Sequence, residues 1–299
     1  MLNSRKYIQR QSAYKLAKYL NKQINENNSY MDQPTWGYSF TALFNYSMNM
    51  FKNEQEIVLK LLHKQDLENK EFSWEFVIFA ALIMSQCDET KDIIPKEFLN
   101  YHEKGTRMFN WFLLRCHNKI LLEKDKFKTL IKLKLALQLY QTKEGLILDE
   151  FKTRSLHYHA FCLFILAHII KIHDTPWLRI SFERGIKYSL QHILKDGTSL
   201  YIGRGQEQIF GYGALLYSLE FYNSSFTTLQ VSILDSITDK ITRFQRSNGS
   251  FPLVLRTIFP EKENINFKDN QPYGWYGYNT LYDYLPFLGY CMSEAAKFK

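Results

Sequence analysis

The chain concentrates hydrogen-bonding and aromatic side chains in five short stretches, and one string among them combines a cation, amides and glycines: Gly203-Arg204-Gly205-Gln206-Glu207-Gln208-Ile209-Phe210-Gly211-Tyr212-Gly213. An arginine between two glycines can bring its planar fork and the neighbouring backbone close to an anion. The string is not a phosphate loop, since it lacks the GK[ST] ending and its glycines miss the GxGxxG spacing. The other stretches run from Asp32 through Trp36 to Tyr38, from Glu71 through Trp74 to Glu75, over His157-Tyr158-His159, and from Gln271 through Trp275, Tyr276 and Tyr278 to Asn279. Tyr201 precedes the arginine string. Rings that stack on pyranose faces, with amide, guanidinium and imidazole groups that bond hydroxyls and carboxylates, make a sugar-binding inventory. The plainer reading of any one of these residues is that it caps a helix or ties a loop. Arg204 on that reading pairs with Glu207 or another acid.

Metal and nucleophile chemistry find less support. His157 and His159 are two apart, not the i, i+4 pair of a helical zinc site, and no convergent ligand set accompanies them. His168 and His173 read as structural. Cys87, Cys116, Cys162 and Cys291 lie far apart without a CxxC pair and read as free thiols, three of them in apolar runs. No GxSxG elbow occurs. No metal or cofactor is expected.

What must hold these stretches is helical. Gly (13) and Pro (7) are scarce in 299 residues, whereas sandwiches and barrels spend both on turns. Two kinds of segment alternate. Ser12–Ile24, Glu54–His63, Lys124–Tyr140, Trp177–Leu194 and Thr227–Phe244 are amphipathic, with Lys or Arg on the polar side. Phe40–Phe51, Phe76–Met84, Ala160–Ile170, Ala214–Phe221 and Leu285–Met292 are apolar nearly all round and must be buried on every side. Within Lys124–Tyr140, residues Phe127, Leu130, Ile131, Leu135 and Leu139 fall at helical spacing, and Leu133 and Leu137 widen that apolar face. The alternation from Ile131 to Leu139 also fits a strand, but length and the Leu, Lys and Ala content favour the helix.

Half-wet helices alternating with buried ones predict two concentric layers, an outer and an inner ring of antiparallel helices: an all-α (α/α) toroid of five to six helical hairpins, in one domain over 1–299. Five outer–inner pairs are clear, and Arg107–Ile120 is a further helix without an assigned ring. Glu144-Gly145, Asp196-Gly197 and Asn248-Gly249 each follow an amphipathic helix, their glycines 52 residues apart both times. A fixed period of that size is one hairpin plus loops. In such a toroid the five stretches, each just ahead of a buried helix, emerge at one end of the ring. Trp36, Trp74, His157, Arg204 and Tyr278 are therefore expected around one mouth, with helix N-termini favouring an anionic ligand.

The net charge of +8 suits nucleic acid, anionic lipid or an acidic glycan. The lysines are spread along amphipathic segments, not gathered in a block, which argues against nucleic acid. The N-terminus has no continuous apolar core of a secretory signal, and the longest apolar run, from about His159 to Ile170, is too short to span a bilayer. A cytoplasmic chain without an integral membrane segment is the expectation.

The helix alternation, His157-Tyr158-His159 opening a buried helix, GRGQEQIFGYG and PYGWYGYNTLYDYLPFLGY together resemble the helical domains of the (α/α)-toroid polysaccharide-active enzymes. The resemblance is nearest to the incomplete toroid of the heparinase II/III and alginate-lyase group, whose C-terminal β-sandwich has no counterpart here. A weaker likeness, carried by Gln245-Arg246-Ser247-Asn248-Gly249-Ser250-Phe251, is to terpene cyclases, whose DxDD and DDxxD signatures are missing. The first resemblance implies β-elimination on a uronate-containing oligosaccharide or polysaccharide. That reaction needs a neutralised carboxylate, a base and an acid. Arg204, Gln208 and Asn279 would neutralise, His157 or His159 would be the base, and Tyr278 or Tyr276 the acid. Asp32, Trp36, Trp74, Tyr201, Gln206, Trp275 and Asp283 would line the subsites. Two alternatives stand beside it: glycoside hydrolysis between two carboxyl groups, Glu207 and Asp283, with Asp32 next, and a non-catalytic glycan-binding or assembly protein of surface-polysaccharide production.

Overall fold

A computed structural model describes residues 2–31, 34–64, 73–86, 108–256 and 281–298. Eleven α-helices lie within them: α1 Leu2–Asn27, α2 Gly37–Met48, α3 Lys52–His63, α4 Ser73–Ser85, α5 Phe109–Leu121, α6 Lys126–Tyr140, α7 Leu156–Ile172, α8 Pro176–Gln191, α9 Ile209–Tyr222, α10 Thr228–Thr242 and α11 Leu281–Ala295. Isolated bridges such as Gln208 with Val254 are the only extended pairing among the described residues.

The segments that are apolar all round are the buried ones. Every residue of α7 from 159 to 170 is buried, as a helix without a polar stripe requires. Five such helices, α2, α4, α7, α9 and α11, form the inner ring together with α5, which stands between α4 and α7, and α11 packs on α2 to close it. Outside lie α1, α3, α6, α8 and α10, each against the inner helix that follows or precedes it. This is the (α/α) toroid the alternation predicts.

The helix that sequence alone left unassigned, α5, belongs to the inner ring. Its Arg115, His117 and Asn118 are polar yet buried, which obscured the pattern. Two of them are engaged by the neighbouring helix: Asn118 Nδ2 donates to the Glu75 carbonyl at 3.1 Å, and Arg115 lies 3.5 Å from the Glu75 carboxylate, while His117 Nδ1 lies 3.1 Å from Asn118 Oδ1 on its own helix. α6 departs from the expectation in a second way. Thr129, Leu133 and Leu137 face the ring, while Phe127, Ile131, Leu135 and Leu139 point out to solvent.

Charge ties the first helix back to the last part of the ring. The buried Glu220 on α9 accepts from Arg5 Nε at 2.9 Å and Gln9 Nε2 at 2.6 Å, and pairs with Lys6. At the other end Asp283 on α11 caps α2 in trans, accepting from Thr35 Oγ1 and Trp36 N, both at 2.8 Å. Pro286 within α11 leaves the Tyr282 carbonyl without its helical donor. Gly37 packs on that carbonyl so closely that a Cβ there would lie 2.0 Å from it.

The 52-residue period has a physical origin. Gly145, Gly197 and Gly249 have φ of +113°, +80° and +94°. Each sits in a turn closed by equivalent bonds: Thr142 N to Leu146 O, Leu194 N to Thr198 O, and Arg246 N to Ser250 O, at 2.8, 2.9 and 2.8 Å. Each turn also abuts the backbone of another outer helix. A Cβ on these glycines would stand 2.2 Å from Arg184 O, 2.1 Å from Ser236 O and 2.4 Å from Lys15 O. Gln141 and Gln245, four residues before the first and third glycine, each bond that glycine's carbonyl and a carbonyl on the abutting helix. The glycines thus set the spacing of the outer ring. Gly197→Ala is expected to lower the unfolding free energy by about 2–5 kcal/mol, through left-handed backbone strain and overpacking together. Urea unfolding checks this, and a loss below about 1 kcal/mol would show that the contact is not tight.

Candidate functional site

The inner helices begin at one end of the ring, and their first turns converge on an aromatic layer. The Trp36 ring stacks on Phe76 at 4.4 Å; Phe210 lies 4.3 Å from Phe287, 5.0 Å from Tyr284 and 4.8 Å from Phe161. Those rings come from α4, α7, α9 and α11 and from the residue before α2. They fill the axis and form the floor of the mouth.

Arg204 stands on the rim. Its Nη2 pairs with the Asp149 carboxylate, its guanidinium lies 5.1 Å over the Tyr158 ring, and Nη2 is 3.8 Å from Met108 Sδ. Asp149 is fully buried, and the Arg204 side chain is 29% exposed with its Nε buried. The loop is fixed from below, with Ser155 Oγ donating to the Arg204 carbonyl at 3.0 Å. Burial pushes the Asp149 carboxyl above its ordinary value, against the hydrogen bond from Arg204, which draws it down. Asp149 Oδ1 has no hydrogen-bond partner.

His157 lies beneath this loop, wholly buried. A Cβ on Gly205 would come 2.9 Å from the ring and one on Gly211 2.6 Å. The GRGQEQIFG string therefore needs its glycines to make room for an imidazole. Phe210 faces the ring at 5.3 Å and Tyr158 at 4.9 Å. The Gly205 backbone also faces it, yet neither ring nitrogen has a hydrogen bond of ordinary geometry. Burial holds His157 down at about 3, and the Arg204 charge acts in the same direction, so the imidazole is neutral at pH 7. The Gln208 Nε2, also buried, has no partner either. Buried polar atoms are nearly always bonded, and Asp149, His157 and Gln208 carry exceptions at this rim.

Other expected site residues are engaged elsewhere. His159 is held on both nitrogens: Nδ1 accepts from Ile147 N at 2.9 Å, and Nε2 lies 3.2 Å from Gly185 O and 3.1 Å from Ser189 Oγ. It ties the loop before α7 to α8. Glu207 is paired with Lys240 at 3.2 Å, so the partner of Arg204 is Asp149 and not Glu207. Asp283 is buried as the cap of α2. Trp36 and Trp74 are buried, and Trp36 serves the aromatic floor, with no face open to a sugar. Tyr201 is exposed and Gln206 half-buried beside Arg204. Asp32, Trp275, Tyr276, Tyr278 and Asn279 lie outside the described residues.

The structure adds residues that the sequence reading passed over. Asp149 ends the apolar run Leu146-Ile147-Leu148. An acid in such a run needs a partner, and that was the available signal. Next to it a cleft of about 430 Å³ opens between α5 and α6, lined by Met108, Phe109, Phe112, Tyr140 and Phe151. Phe109 and Tyr140 are stacked at 4.7 Å. Met108 touches both this cleft and Arg204. At the opposite end of the ring a cavity of about 380 Å³ is bordered by His117, His168, Lys171, Tyr290, Glu294 and Lys297. There Lys297 pairs with Glu294 at 2.5 Å, and His168 stacks on Tyr217 at 4.9 Å. No group of three metal-binding side chains occurs among the described residues, and no described helix is long and apolar enough to cross a membrane.

No protein-family model and no curated protein matches the sequence. Solved structures do match the fold. An unsaturated glucuronyl hydrolase from Streptococcus agalactiae superposes with a TM-score of 0.63 at 11% identity, over 96% of this chain and 91% of that one. A polysaccharide lyase gives 0.60 at 11% identity, over 95% and 96%. A type II terpene cyclase from Scytonema gives 0.61 at 12% identity, over 100% of both chains. The three share an architecture with this chain and differ in chemistry, so the fold by itself leaves the reaction open.

Proposed function

We propose that the protein is carbohydrate-active and takes a uronate-containing oligosaccharide or polysaccharide at the mouth of its inner ring, acting by β-elimination in the manner of the heparinase II/III and alginate-lyase group. The observation that carries this is the rim itself: a partly exposed Arg204 side chain over buried His157, Gln208 and Asp149, each with an unbonded polar atom, beside an aromatic-lined cleft. Arg204 and Gln208 suit a carboxylate and its neighbouring hydroxyls. Phe109, Phe112 and Phe151 suit sugar faces. The fold neighbours that act on glucuronyl substrates or polysaccharides lend the same direction.

In this reading His157, held neutral by burial, accepts the C5 proton. The electron pair forms the C4–C5 double bond, and the C4 oxygen leaves with a proton for which Tyr278 or Tyr276 is the sequence's candidate. The ring of His157 lies under Gly205, so the 203–208 loop must lift for the base to reach substrate. The hydrolytic alternative loses support, because Glu207 and Asp283 are committed to Lys240 and to the α2 cap. A binding-only role needs no loop movement and is the second reading.

Incubation with a panel of acidic polysaccharides tests this, following ultraviolet absorbance of unsaturated product together with reducing ends. Both signals rising is the expected result. Reducing ends alone would mean hydrolysis, binding without either signal would leave the binding module, and no binding to any uronate polymer would overturn the carbohydrate reading.

A further inference from the structure

We propose that the outer face of α6 docks the protein onto an anionic lipid surface. Phe127, Ile131, Leu135 and Leu139 are 78%, 46%, 55% and 68% exposed, although they are the large apolar residues of a helix whose other side packs on the ring. With ~3.6 residues per turn, Ile131 and Leu135 point within about 20° of directly outward, and Phe127 and Leu139 lie about 60° to either side. Lys134 and Lys132 flank them about 80° to either side. Lys128 lies between, and all three lysines are exposed. No acidic residue occurs between Asp125 and Glu144. On the neighbouring helix α8, Ile180 is exposed as well. An apolar ridge with cationic stems on both flanks is the arrangement that buries side chains at the level of acyl chains while ammonium groups reach phosphate.

The shape and charge choose this occupant. The exposed apolar side chains stand on the outward side of an outer helix, where a deformable bilayer accommodates them without a partner of matching shape. A second copy set against it would bring Lys128, Lys132 and Lys134 against their own kind. A neutral membrane would leave the lysines without counter-charge. The inference does not rest on the glycan reading. It does place the loop after α6, which carries Asp149, near the plane of the membrane.

Vesicle co-sedimentation decides it, using phosphatidylglycerol–phosphatidylcholine vesicles against pure phosphatidylcholine, with wild type, Ile131→Ser with Leu135→Ser, and Lys132→Gln with Lys134→Gln. Wild type is expected to bind the anionic vesicles, more weakly as salt is raised. The serine pair should weaken binding roughly tenfold or more, and each lysine replaced about fivefold. These side chains are exposed, so melting temperatures should stay near wild type, which separates lost docking from lost folding. Equal binding to both vesicle types, no binding, or binding indifferent to the serine pair would overturn the proposal. A dimer in lipid-free solution that the serine pair converts to monomer would overturn it as well, by showing the face covered by a second copy.

Discussion

Lowering the pH from 7 to 5 is expected to remove about 6 kcal/mol of folding stability, through three histidines that the inner ring holds neutral. Burial keeps His117 and His159 at about 4 and His157 at about 3, against an ordinary 6.5. The sign follows from proton binding. In the unfolded chain each histidine takes a proton as pH falls through about 6.5, whereas in the fold it stays neutral, so the unfolded state binds more protons and gains on the native one. The stabilisation is complete above the ordinary value and drains away as pH falls toward 4 and then 3. At pH 5 each group has given up about 2 kcal/mol. His168, held well below its ordinary value by burial, pushes the same way. Asp149 opposes them as a single group, because burial raises its carboxyl and protonation relieves it. A loss of this size rivals the total stability of an ordinary domain, about 5–15 kcal/mol. Urea unfolding at pH 7, 6 and 5 should show the midpoint dropping steeply, with about one proton taken up per buried histidine on unfolding at pH 5. A midpoint flat over that range would mean these imidazoles reach water.

Those histidines also mark where sequence reasoning stopped. The two layers were legible because a helix such as Phe40–Phe51 or Ala160–Ile170 has no polar stripe and can only be inner. The glycine period was legible because each outer-helix turn needs the same positive φ against the same kind of neighbouring carbonyl. α5 was not, because Arg115, His117 and Asn118 look like a wet face while lying buried, Arg115 and Asn118 against Glu75 of α4 and His117 against Asn118 on its own helix. The inward face of α6 was not, because its apolar residues surround the helix and spacing cannot say which Leu points inward. Of the candidate site, a juxtaposition was legible: the GRGQEQIFG string and His157 lie together at one rim. The roles were not. Whether Glu207 pairs with Arg204 or Lys240 depends on which loops lie side by side, and a single sequence holds no record of that. Trp36 reads equally well as a sugar platform or a core ring, and only the stack on Phe76 decides.

Replacing Arg204 is expected to cost stability first and ligand second. Asp149 is fully buried and its carboxylate is paired with this one guanidinium. Arg204→Ala leaves the acid without its counter-charge at a site where burial already opposes ionisation. The cost of stranding a buried charge is about 3–5 kcal/mol, and the lower end applies because Arg204 is partly solvated. The deficit should shrink as pH falls through the raised Asp149 value, since a protonated carboxyl needs no cation. Replacing the acid as well, Asp149→Asn with Arg204→Ala, should recover part of it. Arg204→Lys separates the two roles of the side chain. The ammonium keeps charge near Asp149 but lacks the fork that could hold Asp149 on one side and a glycan carboxylate on the other. It is expected to lose only a few degrees in melting temperature, while affinity for an acidic oligosaccharide falls ten- to hundred-fold, the worth of a charge-assisted contact of about 1.5–3 kcal/mol. Unchanged stability in Arg204→Ala would deny the Asp149 pairing its structural weight. Unchanged glycan affinity in a folded Arg204→Lys would confine Arg204 to holding the loop over His157 and take it out of the proposed binding site.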